Sequence, residues 1–407
     1  MVEGRPIPAA KRNRRAAALL LKEYSLCRRC LARQGATTAT ATTTTATGSK
    51  NKSLPDGDTS SCYICRGLMG RLDELAKKAF AATKGYQYDT FLVGATLATQ
   101  FYEREDALRA RLKIRGRESI KGQLTRELGA RLAKITGKKA DYVRPDVSVN
   151  VTIDREGATT TADVSVRARP LVIEGRYTKK SRGLPQKQDR CPMCLGKGGA
   201  GCNLCEGTGL SGFDSIEGLI ARQLVKSTGG QAPKFSWVGS EDRESLVLGK
   251  GRPFYAKISD PKVRRPNKPL RLGDEAAKSG AVQARIIKIL DDLPDVPPRF
   301  ATKTQIAVRC ARPVTTGDLK KLKRSLAAGA QVKFQSRDKL ATKRIIRPAQ
   351  VKKTGENEFL LTLYADGGLP IKQFVGGEEY MEPNVSGILE ARCECATFDV
   401  LTVDLLQ

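Results

Sequence analysis

Eight of the chain's eleven cysteines fall into four Cys-x-x-Cys pairs, the densest run of reactive side chains in the sequence. Two intervening residues let one tight turn present both sulfurs to a single tetrahedral metal, and two such turns complete a structural four-thiolate site. Cys191 and Cys194 are followed by Cys202 and Cys205, among glycines 196, 198, 199, 201, 207 and 209. Those glycines supply the small volume and positive φ that such turns use. Cys27 and Cys30 precede, and Cys62 and Cys65 follow, a Thr/Ala/Ser/Gly-rich stretch over 35–61 that reads as a flexible low-complexity loop. Closing a long loop costs little more than closing a short one, so these four thiols are expected to form a second site. A disulfide framework is disfavoured, because such frameworks belong to short secreted chains. A redox dithiol normally stands alone, and these pairs are doubled. Structural zinc is therefore expected at both tetrads, while Cys310, Cys393 and Cys395 read as small buried hydrophobes.

The sequence contains no histidine. That excludes Ser-His-Asp triads, Cys-His proteases and histidine-ligated zinc hydrolases. Any general acid or base must be Asp, Glu, Lys, Tyr or Cys. The run from Trp237 to Ile258 then stands out. Gly239, Gly249, Gly251 and Pro253 mark a turn and a loop, and Glu241 and Asp242 sit among Arg243, Lys250 and Arg252. Cationic surroundings hold such a carboxylate ionised. It can serve as a nucleophile or as a plain charge partner, and spacing alone does not choose between them.

The partner is written in the charge. Lys and Arg number 72 against 43 Asp and Glu, a net charge of +29, which attracts polyanions. A membrane is the competing attractor, but no apolar run approaches the roughly 18 residues that span a bilayer. The basic start, with Arg5, Lys11, Arg12, Arg14 and Arg15, is followed by an apolar stretch over 16–21 that is too short for a signal peptide. We therefore expect a cytoplasmic, monomeric protein with no membrane partner and no small-molecule substrate. Aromatics are only 5% of residues, too few for a surface built on base stacking. Structured RNA, read by backbone and shape, suits the composition better.

These groups need elements to position them. Residues 1–25 read as a basic helical lead-in. Ile120, Leu124, Leu128, Leu132 and Ile135 share one helix face, with Ser119 as cap and Arg126, Arg131 and Lys134 opposite. Alternation at Val147, Val149, Val151 and Ile153, then at Val164 and Val166, predicts strands that lead into 171–173. A small basic α/β module follows from this, ending near residue 170. Beyond it, a helix is expected to start at Asp214 with Glu217 completing a capping box, and another near Asp318. Strands are expected at 305–308, 332–334, 345–351, 359–364 and 398–403. Many strands and few helices predict an α+β catalytic domain on a mainly antiparallel sheet.

One segment carries a resemblance. Gly239-Ser240-Glu241-Asp242, followed by the Leu248 to Phe254 loop, resembles the catalytic segment of the archaeal-type tRNA pseudouridine synthase family that modifies the T arm. The similarity extends upstream to Gly175 through Gln186 and the cysteine knuckle, and downstream to 368–375 and 382–385. It covers nearly the whole chain. The resemblance implies a zinc-bound, THUMP-like RNA-binding domain at 1–169. It also implies a pseudouridine synthase domain at 170–407, with a zinc-knuckle insert at 191–205. By the same resemblance, Asp242 is the nucleophile that attacks C1′ or C6 of a flipped uridine at position 54 and/or 55 of tRNA. Lys372 falls where related synthases pair a basic residue with that aspartate. Gln305, Pro370, Ile371 and Arg252 fall at the substrate, and Arg176, Tyr177, Lys179 and Arg182 join Arg126, Arg131 and Lys134 as RNA contacts. No organic cofactor is implied. Two positions depart from the family pattern. Gln305 follows Lys303-Thr304 where the family has a tyrosine that packs on the base, and Pro370 replaces a tyrosine before Ile371-Lys372. The second reading is a non-catalytic RNA-binding or RNA-chaperone protein that keeps the fold and the zinc sites.

Overall fold

The structure is a computed structural model that describes residues 23–35, 59–157, 159–198, 202–267, 269–270, 281–336, 339–377 and 380–406. Most of the expected lead-in helix at 1–25, most of the 35–61 loop, and glycines 199 and 201 lie outside these residues. The chain divides into two compact units, Met1–Arg169 and Pro170–Gln407. Among the described residues, no helix is long and apolar enough to cross a membrane.

The first unit is a mixed four-stranded sheet with helices. Its helices are α1 (Arg28–Arg33), α2 (Leu72–Thr83), α3 (Thr99–Leu112) and α4 (Ile120–Thr136). Its strands are β1 (Thr90–Leu97), β2 (Lys139–Ala140), β3 (Val147–Glu156) and β4 (Thr159–Ala168), in the order β2-β1-β3-β4. β1 runs parallel to both its neighbours, and β3–β4 is an antiparallel hairpin. The period-two pattern puts Val147, Val149, Val151 and Ile153 in the core. On α4, Ile120, Leu124, Leu128 and Leu132 are buried, and the Ser119 hydroxyl accepts the Gly122 N–H at 3.1 Å. Ile135, expected on the same face, is exposed in the last turn.

The second unit is α+β. Ten strands follow the order β11-β12-β13-β10-β14-β7-β5-β9-β8, with β6 added against β7. The first half of this sheet holds β5 (Leu171–Lys179), β6 (Lys234–Trp237), β7 (Val247–Ile258), β8 (Pro269–Leu270) and β9 (Val282–Leu290), with α5 (Ile216–Thr228). The second half holds β10 (Phe300–Cys310), β11 (Gln331–Ser336), β12 (Lys339–Lys353), β13 (Glu358–Asp366) and β14 (Cys393–Leu405). It also carries α6 (Thr316–Ser325), α7 (Ile371–Gly376) and α8 (Val385–Leu389). Each half has its own apolar core. Every pairing is antiparallel except the seam between the halves, a single parallel pair, Val247 with Val400. The cap of α5 is Ser215, one residue after the expected Asp214, and its hydroxyl accepts the Gly218 N–H at 2.9 Å. Glu217 is therefore not at the reciprocal capping position; its carboxylate accepts the Gln188 N–H instead. Thr315 and Asp318 do form a capping box on α6.

Candidate active site and metal centres

The turn from Gly239 to Glu244 joins β6 to β7 beside the seam, and what holds it is buried. Arg252, on β7, places Nε 2.6 Å from Glu241 Oε2, and both side chains are almost wholly inaccessible. The same guanidinium donates to the Val238 and Ser240 carbonyls at 2.9 and 3.1 Å. Tyr177 donates its hydroxyl to Glu241 Oε1 at 2.5 Å, and Gln186 donates to the Tyr177 oxygen at 2.9 Å. Burial, reinforced by the Glu241 carboxylate, pushes the Tyr177 phenol well above its usual range, so it stays a donor. Gly239 sits at φ +77°, and a Cβ there would lie 2.6 Å from Arg252 Nη1 and 2.9 Å from the Phe300 ring. Only glycine allows that turn to close over the guanidinium.

Asp242 emerges on the open side of this framework. Its Oδ2 meets Lys372 Nζ from α7, and its Oδ1 accepts the Glu244 N–H at 3.3 Å. The Lys372 hydrogen bond holds the Asp242 carboxyl below the usual carboxylate range, against the opposing effect of burial. Lys372 is raised in turn by Asp242. The Asp242 side chain is 26% exposed and that of Lys372 61% exposed, so the pair is reachable from solvent.

Against the same turn lies a cavity of about 240 Å³, whose lining includes Ser240 and Ile371 but neither Asp242 nor Lys372. The turn contributes Gly239 and Ser240 to its wall, β10 contributes Phe300, Thr302 and Thr304, and β14 contributes Phe398 and Val400. Leu363, Ala365 and Asp366 come from β13, and Pro370 and Ile371 stand at the start of α7. Drug-sized ligands occupy clefts of about 300–1,000 Å³, so this space suits a single small ring. Sequence reasoning missed Phe300, Phe398 and Asp366. Counting back by twos from the apolar Ile306 and Val308 would have found Phe300, Thr302 and Thr304.

The same alternation corrects the reading of Gln305. It lies on the opposite face of β10 from Thr302 and Thr304, and is not part of the cavity wall. Pro370 and Ile371 line the cavity, and Arg252 reaches it while tied to Glu241. Of the residues expected to contact RNA, Tyr177, Lys179 and Arg182 instead support the Asp242 turn, and Arg176 ties β7 to β14. Tyr177 is buried under Glu241. Lys179 is fully buried and donates to the carbonyls of Leu184, Asp242 and Arg243 at 2.7, 3.2 and 2.9 Å. Arg176 donates to the carbonyls of Gly251 and Val403 at 2.8 and 2.9 Å. Arg182 grips the Glu244 carbonyl and chelates both oxygens of Asp399 at 2.8 and 2.9 Å. Their positive charge is spent on carbonyls and a carboxylate of the chain itself. In the first unit, Arg126 pairs with Glu118, and Arg131 pairs with Asp73 and Glu127. Lys134 is exposed.

Both cysteine tetrads converge. In each, the four sulfurs lie within 4.8 Å of one another. Cys27–Cys65, Cys191–Cys202 and Cys194–Cys205 are each separated by 3.8 Å. A tetrahedron with zinc–sulfur arms of about 2.3 Å has edges of about 3.8 Å, so the spacing fits that ion. In the second tetrad, the N–H groups of Gly198 and Gly209 reach Cys194 and Cys205 Sγ at 3.3 Å. The first of these bonds is the main force lowering the Cys194 thiol to about 7. In the first tetrad, buried Arg33 donates to Cys30 Sγ at 3.4 Å and pairs with Glu105 at 2.6 Å. Four thiolates around a divalent ion carry net negative charge, which that guanidinium offsets. Cys310 and Cys393 are buried on paired strands with sulfurs 2.7 Å apart, and Cys395 is half-buried nearby on β14.

The fold and site define a two-unit α+β protein with two four-cysteine clusters and an open carboxylate paired with a lysine near a small cavity. Two family models match it: "Pus10, C-terminal" over residues 172–404 and "Pus10 THUMP domain, archaeal" over 75–154. A protein named tRNA pseudouridine synthase Pus10 from Nitrosopumilus maritimus is 33% identical over 386 residues, which is 95% of this chain and 96% of the relative. Relatives of the same name from Cenarchaeum symbiosum and Methanocaldococcus jannaschii are each 31% identical. They cover 92% and 85% of this chain, and 89% and 76% of their own lengths. The chain belongs to the Pus10 family.

Proposed function

We propose that the chain is a tRNA pseudouridine synthase that isomerises uridine to pseudouridine at position 54 and/or 55 of the T arm, with Asp242 as nucleophile. The observation that carries this reading is the pair of environments around one turn. Asp242 is open, ionised and near a base-sized cavity, while its backbone is anchored from beneath by Glu241, Arg252 and Lys179. A target base inside a stack must be turned out to reach such a cavity. The Asp242 carboxylate attacks at C1′ or C6, and the C1′–N1 bond breaks. The freed uracil turns in place, C5 joins C1′, the bond to Asp242 breaks and returns the carboxylate, the C5 proton leaves and N1 takes one up. The reaction conserves every atom, so no cosubstrate enters the stoichiometry.

Lys372 keeps Asp242 charged, and the apolar wall of Phe300, Leu363 and Phe398 keeps water off the base during its rotation. Each tetrad takes a zinc ion as a structural staple, tying together the loops that carry its cysteines rather than supplying chemistry. The first unit grips tRNA, with Arg126 and Lys134 exposed on α4. The free thiols suit a cytoplasmic enzyme, and we read it as a monomer. The test is incubation of the full chain with an unmodified tRNA transcript, followed by chemical mapping of pseudouridine at every uridine. Conversion confined to the T arm is the expected result. Tight tRNA binding with no conversion would favour the non-catalytic RNA-binding or RNA-chaperone reading.

A further inference from the structure

Uracil and cytosine differ along one edge. Uracil presents an N3–H donor between two carbonyls, whereas cytosine presents a bare N3 beside an amino group. A cavity that isomerises only uridine needs something that reads this edge. Its hydroxyls, on Ser240, Thr302 and Thr304, cannot do so alone, because a hydroxyl donates or accepts as its partner requires. Arg252 is committed to Glu241 and to two carbonyls. One lining side chain is an obligate acceptor: Asp366, the last residue of β13. Its Oδ2 accepts the Arg344 N–H at 2.9 Å, which orients the carboxylate. Among the described residues, no donor is bonded to its other oxygen and no cation pairs with it. In a chain with a net charge of +29, a carboxylate beside the cavity is left free to accept.

We propose that Asp366 selects uracil by accepting the N3–H of the base held in the cavity. The inference rests on the synthase reading above and adds a specificity residue to it. Facing cytosine, the same oxygen would meet the N3 lone pair, and the carboxylate–base contact would become repulsive. Gly239 and Ser240, on the turn that carries Asp242, form another wall of the same cavity, which brings a base held there to the edge of that turn. Asp366 takes no part in bond making and acts by holding the base.

The experiment pairs wild-type and Asp366→Ala full-length protein with two tRNA transcripts, one carrying uridine and one 3-methyluridine at the modified position. Product is measured by digestion and chromatography of the nucleosides. Losing a charged hydrogen bond should lower kcat/KM about 10- to 100-fold for Asp366→Ala on uridine. The wild-type protein should lose at least as much on 3-methyluridine. The two losses should not multiply, since either change alone removes the same bond. tRNA affinity should hold within a few-fold, because phosphate contacts dominate it. Asp366→Ala turning over uridine at the wild-type rate, or multiplicative losses, would overturn the assignment. Should that variant not fold, undiminished wild-type turnover of 3-methyluridine overturns it as well. A wild-type protein that leaves uridine unchanged would sink the synthase reading instead, a distinguishable outcome.

Discussion

Glu241 and Asp242 are adjacent in sequence and bear the same functional group, yet they lie in two different dielectric regions. Below the turn, Glu241 faces Arg252 with both side chains at most 2% exposed, and Tyr177 and Gln186 complete its hydrogen bonds. Above the turn, Asp242 faces Lys372 near the cavity, with solvent in reach. A buried pair is costly to desolvate and costlier to break, so its contribution is to fix geometry. An exposed pair contributes little to stability, and its carboxylate is free to leave its lysine for a substrate. Tyr177 and Lys179 belong to the buried region and Arg182 is tied to Asp399 at its edge, although their sequence reads like an RNA-binding patch.

The sharpest way to break this contrast is from below. Arg252→Met should destabilise the second unit by about 3–5 kcal/mol, because it strands the Glu241 charge in the interior. Pairing it with Glu241→Gln should recover much of that loss. Denaturant midpoints of the full chain measure both. From above, the expected effect is smaller and of another kind. Lys372→Met should change stability by less than about 1 kcal/mol while lowering kcat/KM increasingly as pH falls toward the carboxylate range. Its pH signature follows from the directions of the shifts. The lysine depresses Asp242, so Asp242 stays ionised to lower pH than an ordinary carboxylate. Removing the lysine should move the acid limb of the rate profile upward. At the alkaline end, Asp242 raises Lys372, so the wild-type pair persists past the usual lysine range and is lost only as pH rises through the raised value. An acid limb that does not move would mean that Lys372 does not govern the charge of Asp242. Smallest of all, Gln305→Ala should leave kcat/KM within about twofold and stability within about 0.5 kcal/mol, since Gln305 is on the far face of its strand.

The second tetrad was legible because its ligands are local, and the first because each Cys-x-x-Cys pair is, although a long stretch separates its two pairs. Asp242 stood out as an acidic residue in a glycine-marked turn among cations, but it was the family resemblance, not the spacing, that made it the candidate nucleophile. The role of Lys179 was not legible. Its partners are carbonyls, two of them 63 and 64 residues distant, and a lysine that will be buried looks in sequence like one that will be solvated. Gln305 is a different case. The apolar residues Ile306 and Val308 already fixed the strand's phase, and a count by twos would have put Thr302 and Thr304 toward the cavity. Asp366 carried no local signal, because its cavity is assembled from strands and turns spread over more than a hundred residues.

The account stands most directly on Asp242. Asp242→Asn keeps the size of the side chain and removes the nucleophilic charge. Wild type and variant should be compared on one unmodified tRNA transcript, with pseudouridine mapped chemically and binding measured at matched salt. The variant should form no pseudouridine while binding tRNA within a few-fold of wild type, because phosphate contacts supply the affinity. Pseudouridine formed by Asp242→Asn at the wild-type rate would contradict the account.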